Sequence, residues 1–518
     1  MPTAISASSR FAASRCAFSF PSSLRPASAA IGQVAVGLAL VLCASLACAQ
    51  DSDAHARQPI AASAGTGQMV ALPPEVEAAL VQAKVPVDAV SFFVADAEGQ
   101  QAPRLAWRSQ APMNPASVMK LITTFAGLDI LGPAFVWKTP VYIDGQVRNG
   151  TLEGNLYIRG SGDPKLVIER LWLLLRRVQA MGITRIRGDI VLDRSAFDTG
   201  EPDPGAFDGR PLKSYNAGAD ALLVNYKTVV LRFAPDPAGR VARLSAEPPL
   251  SGVDIPASVP LSNSKGCGNW RAALRADFQS ARFSFGGGLP AECGDVAWPL
   301  AYPEPASFAA RAVAGLWSEM GGSVGGAVRD GRIPQGLAPA FETESPPLAE
   351  VVRDINKYSN NVMADQLFLT LGLQQRRRGT FGASRGVMRQ WWNDRMGTGD
   401  GGPLVDNGSG LSMEGRVTAG GLAHMLQVAW RSPVMSELMA SLPVVGVDGT
   451  LRRRNLRSGA TAHLKSGTMP EYGVSGLAGY VDGNSGRRYV LVALANHANA
   501  AAARSAFDAL VDWTATDN

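Results

Sequence analysis

Apolar residues recur at three- and four-residue spacing in several long segments, and this period predicts amphipathic helices. Helices are predicted in this way at 166–181, 348–357 and 500–514. A further one stops at Gly132-Pro133, a pair that cannot continue a helix. Its apolar positions are Val118, Leu121, Ile122, Phe125, Leu128 and Leu131.

Shorter segments rich in β-branched and aromatic residues predict strands. The last two are joined by residues 482–486, Asp-Gly-Asn-Ser-Gly, a sequence typical of a hairpin turn. Because such segments lie at both ends of the chain, we expect one five-stranded antiparallel sheet. The helix that starts near Ser117 should cover one face, and the terminal helix the other. The five predicted strands lie at 90–95, 104–109, 463–468, 474–481 and 488–496.

The interval between these end segments is too long for a loop, and about 470 residues are too many for one hydrophobic core. We therefore predict an insert at 140–338. Within it, a Pro- and Gly-rich portion at about 232–300 is expected to form a second, mostly β subdomain. The fold class predicted is mixed α/β (α+β), with a main domain formed by 73–139 and 339–518.

The first 49 residues have the composition of a secretory signal. They contain three arginines and no acidic residue, then an apolar run at 34–46 and an A-x-A cleavage site at Ala47-Cys48-Ala49. The apolar run is shorter than the roughly 20 residues that a membrane-spanning helix needs. We predict a signal peptide at 1–49, a flexible linker at 50–72 and export to the periplasm.

Removal of this signal changes the charge and the cysteine count. The formal net charge falls from +5 to +2, so the composition gives no support for nucleic-acid binding. The arginine runs at 376–378 and 452–454 are most simply solvated faces, with an anionic cell-wall polymer or lipid surface as the alternative. Cys267 and Cys293 alone remain. In an oxidising compartment they are expected to form a disulfide, the alternative being two buried free thiols.

The histidines do not suggest a metal site. The four of them are scattered, and no CxxC pair occurs. Neither a metal nor a cofactor is predicted.

Ser117 and Lys120 form an SxxK motif where the helix ending at Gly132 begins. Asn114 and Pro115 precede it, and both residue types favour the first positions of a helix. Side chains three residues apart share a helix face, so the hydroxyl and the amine can meet. Burial lowers the pKa of a lysine toward neutrality, which lets it act as a base. Taken alone, the tetrapeptide is better explained as an ordinary helix start with an exposed lysine.

A second motif, Lys465-Ser466-Gly467-Thr468, lies on a predicted strand. Gly467 leaves room for a substrate backbone to lie along the strand edge. Lys465 supplies a positive charge, and the hydroxyls of Ser466 and Thr468 suit a terminal carboxylate. The alternative is a solvent-facing hairpin.

The third motif is Ser359-Asn360-Asn361, directly after a predicted helix. Ser359 can relay a proton to a leaving group, and Asn361 can orient Lys120 or a substrate amide. Such residues also form loops and helix caps. All three motifs together predict an active-site serine with a lysine base and a strand that binds an acyl substrate.

On these motifs the chain resembles the class C low-molecular-mass penicillin-binding proteins. These are the D-alanyl-D-alanine carboxypeptidases and endopeptidases of peptidase family S13. The resemblance covers roughly residues 75–515 and includes the wide interval of 242 residues between Ser117 and Ser359. Further segments that resemble the family lie at 154–157, 160–164, 406–412 and 448–451.

Two positions depart from the family pattern. The strand motif has Ser466 where threonine is commoner, a change of one hydroxyl for another. Many relatives carry a basic residue where this chain has Met413, and Arg416 follows three positions later. Met413 and Arg416 bear on how a carboxylate of the substrate side chain is bound.

The resemblance implies a penicillin-binding transpeptidase-like fold whose insert forms two accessory domains. It implies a periplasmic serine D,D-peptidase that cleaves D-alanyl-D-alanine ends and D-alanyl cross-links of peptidoglycan stem peptides. Ser117 would form the acyl-enzyme, the backbone N–H groups of Ser117 and Thr468 the oxyanion hole, and β-lactams would be covalent inhibitors. The alternatives are a serine β-lactamase, which the large insert disfavours, and a silent cell-wall-binding scaffold, although no motif residue is lost. Weak membrane association and a homodimer are left open.

Asp193 is the candidate for recognising the substrate's side chain. Relatives carry an acid in a similar setting that reaches the cleft, where it would pair with the free amino group of a diamino acid. The alternatives are a surface acid at the end of a strand, and Asp198 in the same role.

Overall fold

The computed structural model describes residues 71–200, 203–398 and 402–517. The signal peptide predicted at 1–49 lies outside the described residues, as does the predicted linker except for its last two residues. Within the described ranges, no helix combines the length and the apolar character needed to cross a membrane.

The described part of the chain forms eleven α-helices and twenty-one strands. The helices are α1 (Pro74–Gln82), α2 (Lys120–Leu131), α3 (Ile168–Ala180), α4 (Trp270–Leu274), α5 (Pro305–Glu319), α6 (Leu348–Tyr358), α7 (Asn361–Arg376), α8 (Phe381–Met396), α9 (Ala419–Trp430), α10 (Met435–Ser441) and α11 (Arg504–Ala515). The strands are β1 (Val90–Asp96), β2 (Leu105–Trp107), β3 (Lys138–Ile143), β4 (Val147–Arg148), β5 (Thr151–Leu152), β6 (Leu156–Arg159), β7 (Arg185–Ile186), β8 (Ile190–Asp193), β9 (Thr228–Asp236), β10 (Val241–Glu247), β11 (Ser258–Ser262), β12 (Ala276–Phe278), β13 (Phe283–Phe285), β14 (Leu289–Pro290), β15 (Val296–Ala301), β16 (Ser323–Val324), β17 (Val328–Asp330), β18 (Phe341–Glu344), β19 (Ala462–Met469), β20 (Val474–Asp482) and β21 (Arg488–Asn496).

Both ends of the chain build one sheet. Its order is β19-β20-β21-β1-β2, and every neighbouring pair is antiparallel. Alternate residues of β21 enter different cores, as the two-residue period of a strand requires. Val490, Val492 and Leu494 pack with α2, whereas Leu491 and Ala493 pack with α11. The predicted five-stranded sheet between two helical layers is therefore confirmed.

The insert contains four further sheets. The first of them has the order β17-β8-β6-β3-β18 and begins in sequence with β3. The strands of a smaller sheet, of order β16-β7-β5-β4, are interleaved with these along the chain. The strands of this region run from Lys138 to Glu344, and the domain bounds of 140 and 338 stay a prediction. The portion from Thr228 to Ala301 is mostly β, with sheets β14-β11-β10-β9-β15 and β12-β13. It contains the Cys267–Cys293 disulfide, which confirms the predicted pairing.

A polar contact ties the insert to α7. The side-chain amide of Gln366 on α7 accepts the N–H of Asp220 at 2.9 Å and donates to its carbonyl at 2.8 Å. The Asp220 carboxylate is itself buried, and it pairs with Lys227 at 2.8 Å and with Arg194. Because a buried charge needs partners, this cluster has one favoured arrangement. The insert is thereby held against the helix that carries Asn361.

Candidate active site

Ser117 lies in a 3₁₀ turn, Ala116–Met119, that leads directly into α2. The sequence predicted a regular helix start, but Ala116 has a φ of +48°, which an α-helix cannot contain. The side chain of Asn114 accepts the N–H of Ala116 at 2.9 Å. Asn114 is in turn held to the end of β21, because its N–H and carbonyl bond the side-chain amide of Asn496 at 2.8 and 3.0 Å. The nucleophile turn is thus fixed to the central sheet.

Lys120 is fully buried and contacts three oxygen acceptors. Its Nζ lies 2.9 Å from Ser117 Oγ, 2.7 Å from Asn361 Oδ1 and 2.6 Å from the carbonyl of Ser409. Burial lowers the pKa of Lys120 to about 7, and the charge of Asp365 on α7 opposes that shift. A neutral amine beside a serine hydroxyl is the arrangement that a lysine base requires.

A second buried lysine faces Ser359. Lys465 Nζ donates to Ser359 Oγ at 2.9 Å and to the carbonyl of Ser466 at 2.6 Å. Burial lowers the pKa of Lys465 well below its ordinary value, and the positive charge of Lys120 lowers it further. Ser359 follows α6 in a left-handed conformation with φ of +56°, a strained position for serine. This turn aims the Ser359 hydroxyl at Lys465.

Strand β19 crosses directly over the nucleophile turn. A Cβ on Gly467 would lie only 2.7 Å from the Pro115 carbonyl and the Ser117 nitrogen. Glycine is therefore needed because the strand backbone approaches the turn, and the sequence interpretation had assigned that space to substrate alone. Residues 443–445 bond the start of the outer edge of β19, at Ala462 and Leu464, so a peptide can pair with this edge only beyond Leu464. On it, Ser466 Oγ lies 3.0 Å from Thr450 Oγ1.

A loop of the insert completes the site, and sequence reasoning missed it. The carbonyl of Tyr215 accepts Asn361 Nδ2 at 3.0 Å, which fixes the amide whose oxygen bonds Lys120. Arg210 pairs with Glu471 at 2.7 Å, and the Tyr472 hydroxyl donates to the Phe207 carbonyl at 2.5 Å. The available signal was the length of the segment between β8 and β9, since long loops in compact domains are usually functional.

Asp208 on this loop presents a carboxylate to a cavity that Ser117 also lines. It accepts the Tyr215 hydroxyl and Asn216 Nδ2, each at 2.7 Å. Burial acts to raise the pKa of Asp208, but these hydrogen bonds outweigh it and hold the pKa below its usual range. Asp208 is therefore ionised at neutral pH.

Ser117 opens onto two cavities, both of which also contact Ser359 and Thr468. The insert-side cavity has a volume of about 390 Å³ and is lined further by Phe207, Asp208, Arg210, Tyr215, Asn361, Gly410, Leu411, Met469, Pro470, Glu471 and Tyr472. The helix-side cavity has a volume of about 430 Å³ and is lined further by Thr450, Leu451, Arg454, Ser466, Gly467, Pro470, Ser475, Gly476, Ala501, Arg504 and Phe507. Both volumes are typical of ligand sites.

Asp193, the acid predicted to recognise the substrate, does not line either cavity. Its carboxylate accepts the N–H of Ser195 at 3.0 Å and that of Ile333 at 3.4 Å, so it closes a turn within the insert. Asp198 lines a different cavity, which does not contact Ser117. The role of Asp193 stays a prediction, and the insert carboxylate that lines a cavity with Ser117 is that of Asp208.

Arg416 does not take the place of the missing basic residue at Met413. Its guanidinium donates to the carbonyls of Met413 at 2.6 Å and Gly415 at 2.8 Å. Both Met413 and Arg416 line a separate cavity of about 560 Å³ that does not contact Ser117.

The described residues contain no group of three or more His, Cys, Asp or Glu side chains placed to hold a metal ion. The side chains that hydrogen-bond to one another around Ser117 and Ser359 provide hydroxyls, an amide and lysine amines. This set suits acyl transfer to a serine.

Comparison with known proteins agrees with this chemistry. A family model described as the D-Ala-D-Ala carboxypeptidase 3 (S13) family matches residues 72–517. The D-alanyl-D-alanine carboxypeptidase of Actinomadura sp. (strain R39) is 30% identical over 394 residues, which are 72% of this chain and 71% of that protein.

Solved structures share the fold. Penicillin-binding protein 4 (dacB) from Haemophilus influenzae superposes with a TM-score of 0.65 at 22% identity, covering 84% of this chain and 99% of that one. The same protein complexed with a novel β-lactam gives a TM-score of 0.60 at 21% identity, covering 82% of this chain and 93% of that one.

Proposed function

Because this chain belongs to the D-Ala-D-Ala carboxypeptidase 3 (S13) family, we propose that Ser117 is the nucleophile with which it cleaves peptidoglycan stem peptides. The protein is a serine D,D-peptidase that acts on D-alanyl-D-alanine bonds. The observation that carries the assignment of Ser117 is the 2.9 Å contact between its hydroxyl and the fully buried Lys120 amine.

The hydrogen bonds of Lys120 explain how it acts as base. As an ammonium, Lys120 uses its three protons on Ser117, Asn361 and the Ser409 carbonyl. When Lys120 loses one proton, it still donates the other two to Asn361 and to the Ser409 carbonyl. The nitrogen lone pair then faces Ser117 Oγ. The serine then donates its proton to Lys120 as its oxygen attacks the carbonyl carbon of the acyl D-alanine.

The remaining motifs act on the tetrahedral intermediate. The backbone N–H groups of Ser117 and Thr468 donate to its oxyanion, at the positive end of the turn that leads into α2. Ser359, linked to Lys465, passes a proton to the departing amine. Water then hydrolyses the ester on Ser117 and returns the enzyme to its starting state.

Asp208 makes the site prefer substrates whose acyl peptide carries a free amino group. Stem peptides with a diamino acid carry a free amino group, and a carboxylate in the insert-side cavity pairs with it. The hydrogen bonds from Tyr215 and Asn216 hold the Asp208 carboxylate in one orientation. The substrate's acyl peptide therefore lies in the insert-side cavity, with its amine toward Asp208.

The same site accepts β-lactams as acylating inhibitors, because these carry an acyl group and a carboxylate in the arrangement of the peptide. A serine β-lactamase would share the acylation residues and differ in rapid deacylation. The insert loop favours the peptidase, since it gives the acyl side a carboxylate that a simple β-lactam has no amine to use. The signal predicted from the sequence supports a periplasmic location for this reaction.

Labelling with a fluorescent penicillin tests the nucleophile. We expect covalent label on the peptide that contains Ser117, and loss of both labelling and D-alanine release in Ser117→Ala. A thermal midpoint near that of the wild type would show that the variant is folded. Label on any other serine would overturn the assignment.

A further inference from the structure

The two cavities that meet at Ser117 carry opposite charge. The insert-side cavity contains two carboxylates, Asp208 and Glu471, and one arginine, Arg210. The helix-side cavity is lined by Arg454 and Arg504, and no acidic residue of the described chain lines it. A substrate that spans both cavities should therefore carry positive charge on its insert-side half and negative charge on its helix-side half.

The arginines of the helix-side cavity are incompletely neutralised. Arg454 is buried, pairs with Asp508, and donates to the carbonyl of Arg504 at 3.2 Å. Arg504 Nε lies 4.0 Å from the same Asp508 carboxylate, and its side chain is 59% exposed. Two guanidinium groups thus share one carboxylate. The surplus positive charge lies on Arg504, at the cavity wall and within reach of solvent.

Hydroxyl groups complete the lining. Ser466 Oγ and Thr450 Oγ1 lie 3.0 Å apart at the edge strand, and the buried Ser475 lies on the adjacent strand β20. A cation together with hydroxyl donors is an environment for a carboxylate. Ser466 contacts only this cavity, so the carboxylate expected at the strand motif also belongs on this side.

The position of the acyl peptide determines on which side of Ser117 the leaving group lies. If Asp208 binds the acyl peptide in the insert-side cavity, attack by Ser117 leaves the other half of the scissile bond in the helix-side cavity. This step rests on the proposed function. The helix-side cavity, about 430 Å³, is in the range that holds ligands much larger than a single alanine.

We propose that the helix-side cavity is a subsite for a peptide leaving group, and that Arg504 determines specificity by binding a carboxylate of that group. Among the substrates that the family resemblance implies, a cross-linked pair of stem peptides has a departing amine that belongs to a second, carboxylate-bearing peptide. Ala501, which also lines the cavity, marks the space into which that peptide extends.

Three substrates with one acyl peptide test this proposal. Their leaving groups are D-alanine, D-alaninamide and the second stem of a cross-linked dimer. For Arg504→Gln we expect kcat/KM to fall about tenfold or more with D-alanine and with the dimer, because a charged hydrogen bond is lost, and to stay unchanged with D-alaninamide. Arg504→Lys should restore most of the loss. Arg452→Gln, an exposed arginine outside the cavity, should behave as wild type.

Ala501→Trp tests the volume separately from the charge. The indole should take up part of the helix-side cavity and lower release of the second stem at least tenfold more than release of D-alanine, which needs less space. Equal losses on all three substrates for Arg504→Gln, or no loss on any, would overturn the assignment of Arg504. Two other outcomes would instead overturn the proposed function. They are a wild-type enzyme that cleaves none of the three substrates, and a Ser117→Ala variant that cleaves them as fast as the wild type.

Discussion

Two buried lysines within one site impose a charge constraint on each other. The positive charge of Lys120 lowers the pKa of Lys465, and burial lowers the pKa of both. Asp365 supplies the opposing negative charge near Lys120, and burial raises the pKa of that carboxyl in turn. The sequence motifs predicted both lysines, but they gave no sign of Asp365. Asp365 affects the site through its charge, from the helical turn of α7 that follows Asn361. No sequence motif includes that position.

Lys120→Arg should damage acylation nearly as much as Lys120→Ala, although it preserves the charge. An arginine retains its proton in proteins and cannot act as base. Stopped-flow acylation by a chromogenic β-lactam measures the effect, and we expect less than a tenth of the wild-type rate. Lys165→Arg is a matched control, since Lys165 pairs with Asp354 at 2.6 Å outside the cavities at Ser117. Acylation above a tenth in Lys120→Arg would mean that another group is the base.

Acylation should rise with pH and level off above about 7. Neutral Lys120 is the active form, and a group with a pKa lowered to about 7 is neutral above that value and protonated below it. The second-order acylation constant, measured between about pH 5 and pH 9, should fall roughly tenfold per pH unit on the acid side. A profile that stays flat through neutrality would contradict Lys120 as the base.

At the scale of elements, the sequence predicts regular structure well and its interruptions poorly. The last strand was predicted at 488–496 and is observed over those residues, because its apolar run is bounded by clear turn residues. The turn at Ser117 was predicted as α-helix, and the left-handed conformation of Ser359 was not foreseen. Both turns form hydrogen bonds to residues distant in the chain. For the first of them the contact is with Asn496, whose position in the chain the local pattern cannot register.

Gly467→Ala should separate β19 from the nucleophile turn. The new methyl would meet backbone atoms at 2.7 Å, and backbone cannot move aside as a side chain can. We expect acylation to fall at least tenfold and the free energy of unfolding to drop by about 1–3 kcal/mol. Chemical denaturation and penicillin labelling measure the two effects.

Gly386→Ala is the matched control for this substitution. Gly386 lies within α8, and a Cβ there would meet no atom within 4 Å. Alanine in an open helical position should stabilise the protein by up to about 1 kcal/mol and leave acylation unchanged. Wild-type acylation in Gly467→Ala would show that the strand can move without harm.

At the scale of the whole molecule, the family, the central sheet and the disulfide were predictable from the sequence, whereas the contribution of the insert to the cleft was not. The motifs lie on segments with strong periodic patterns. The loop that carries Asp208 and Tyr215 has no such pattern, and its contact with Asn361 joins residues 146 apart in sequence. The prediction of Asp193, which stays a prediction, did not point to this loop. It selected an acid at the end of a strand, where a carboxylate commonly closes a turn.

Asp208→Asn should weaken turnover of stem peptides that carry a free side-chain amine and leave acylation by a simple penicillin nearly unchanged. The loss of one charge-assisted hydrogen bond corresponds to about 1–3 kcal/mol in kcat/KM. Asp193→Asn serves as the control, because its carboxylate lies outside the cleft. A selective loss in Asp193→Asn, or equal losses on both substrates in Asp208→Asn, would contradict the role given to Asp208.

The pairing of β1 with β21 also determines when the enzyme can become active. Strand β1 pairs with β21 across the whole insert, and β19 with Lys465 also lies beyond the insert. The apolar faces of β1 and α2 stay uncovered until these segments meet. Such long-range closure is slow and exposes the intermediate to aggregation. It also means that a chain in which these segments have not yet met has its nucleophile but no site around it, so hydrolysis of the wall cannot start before the sheet has closed.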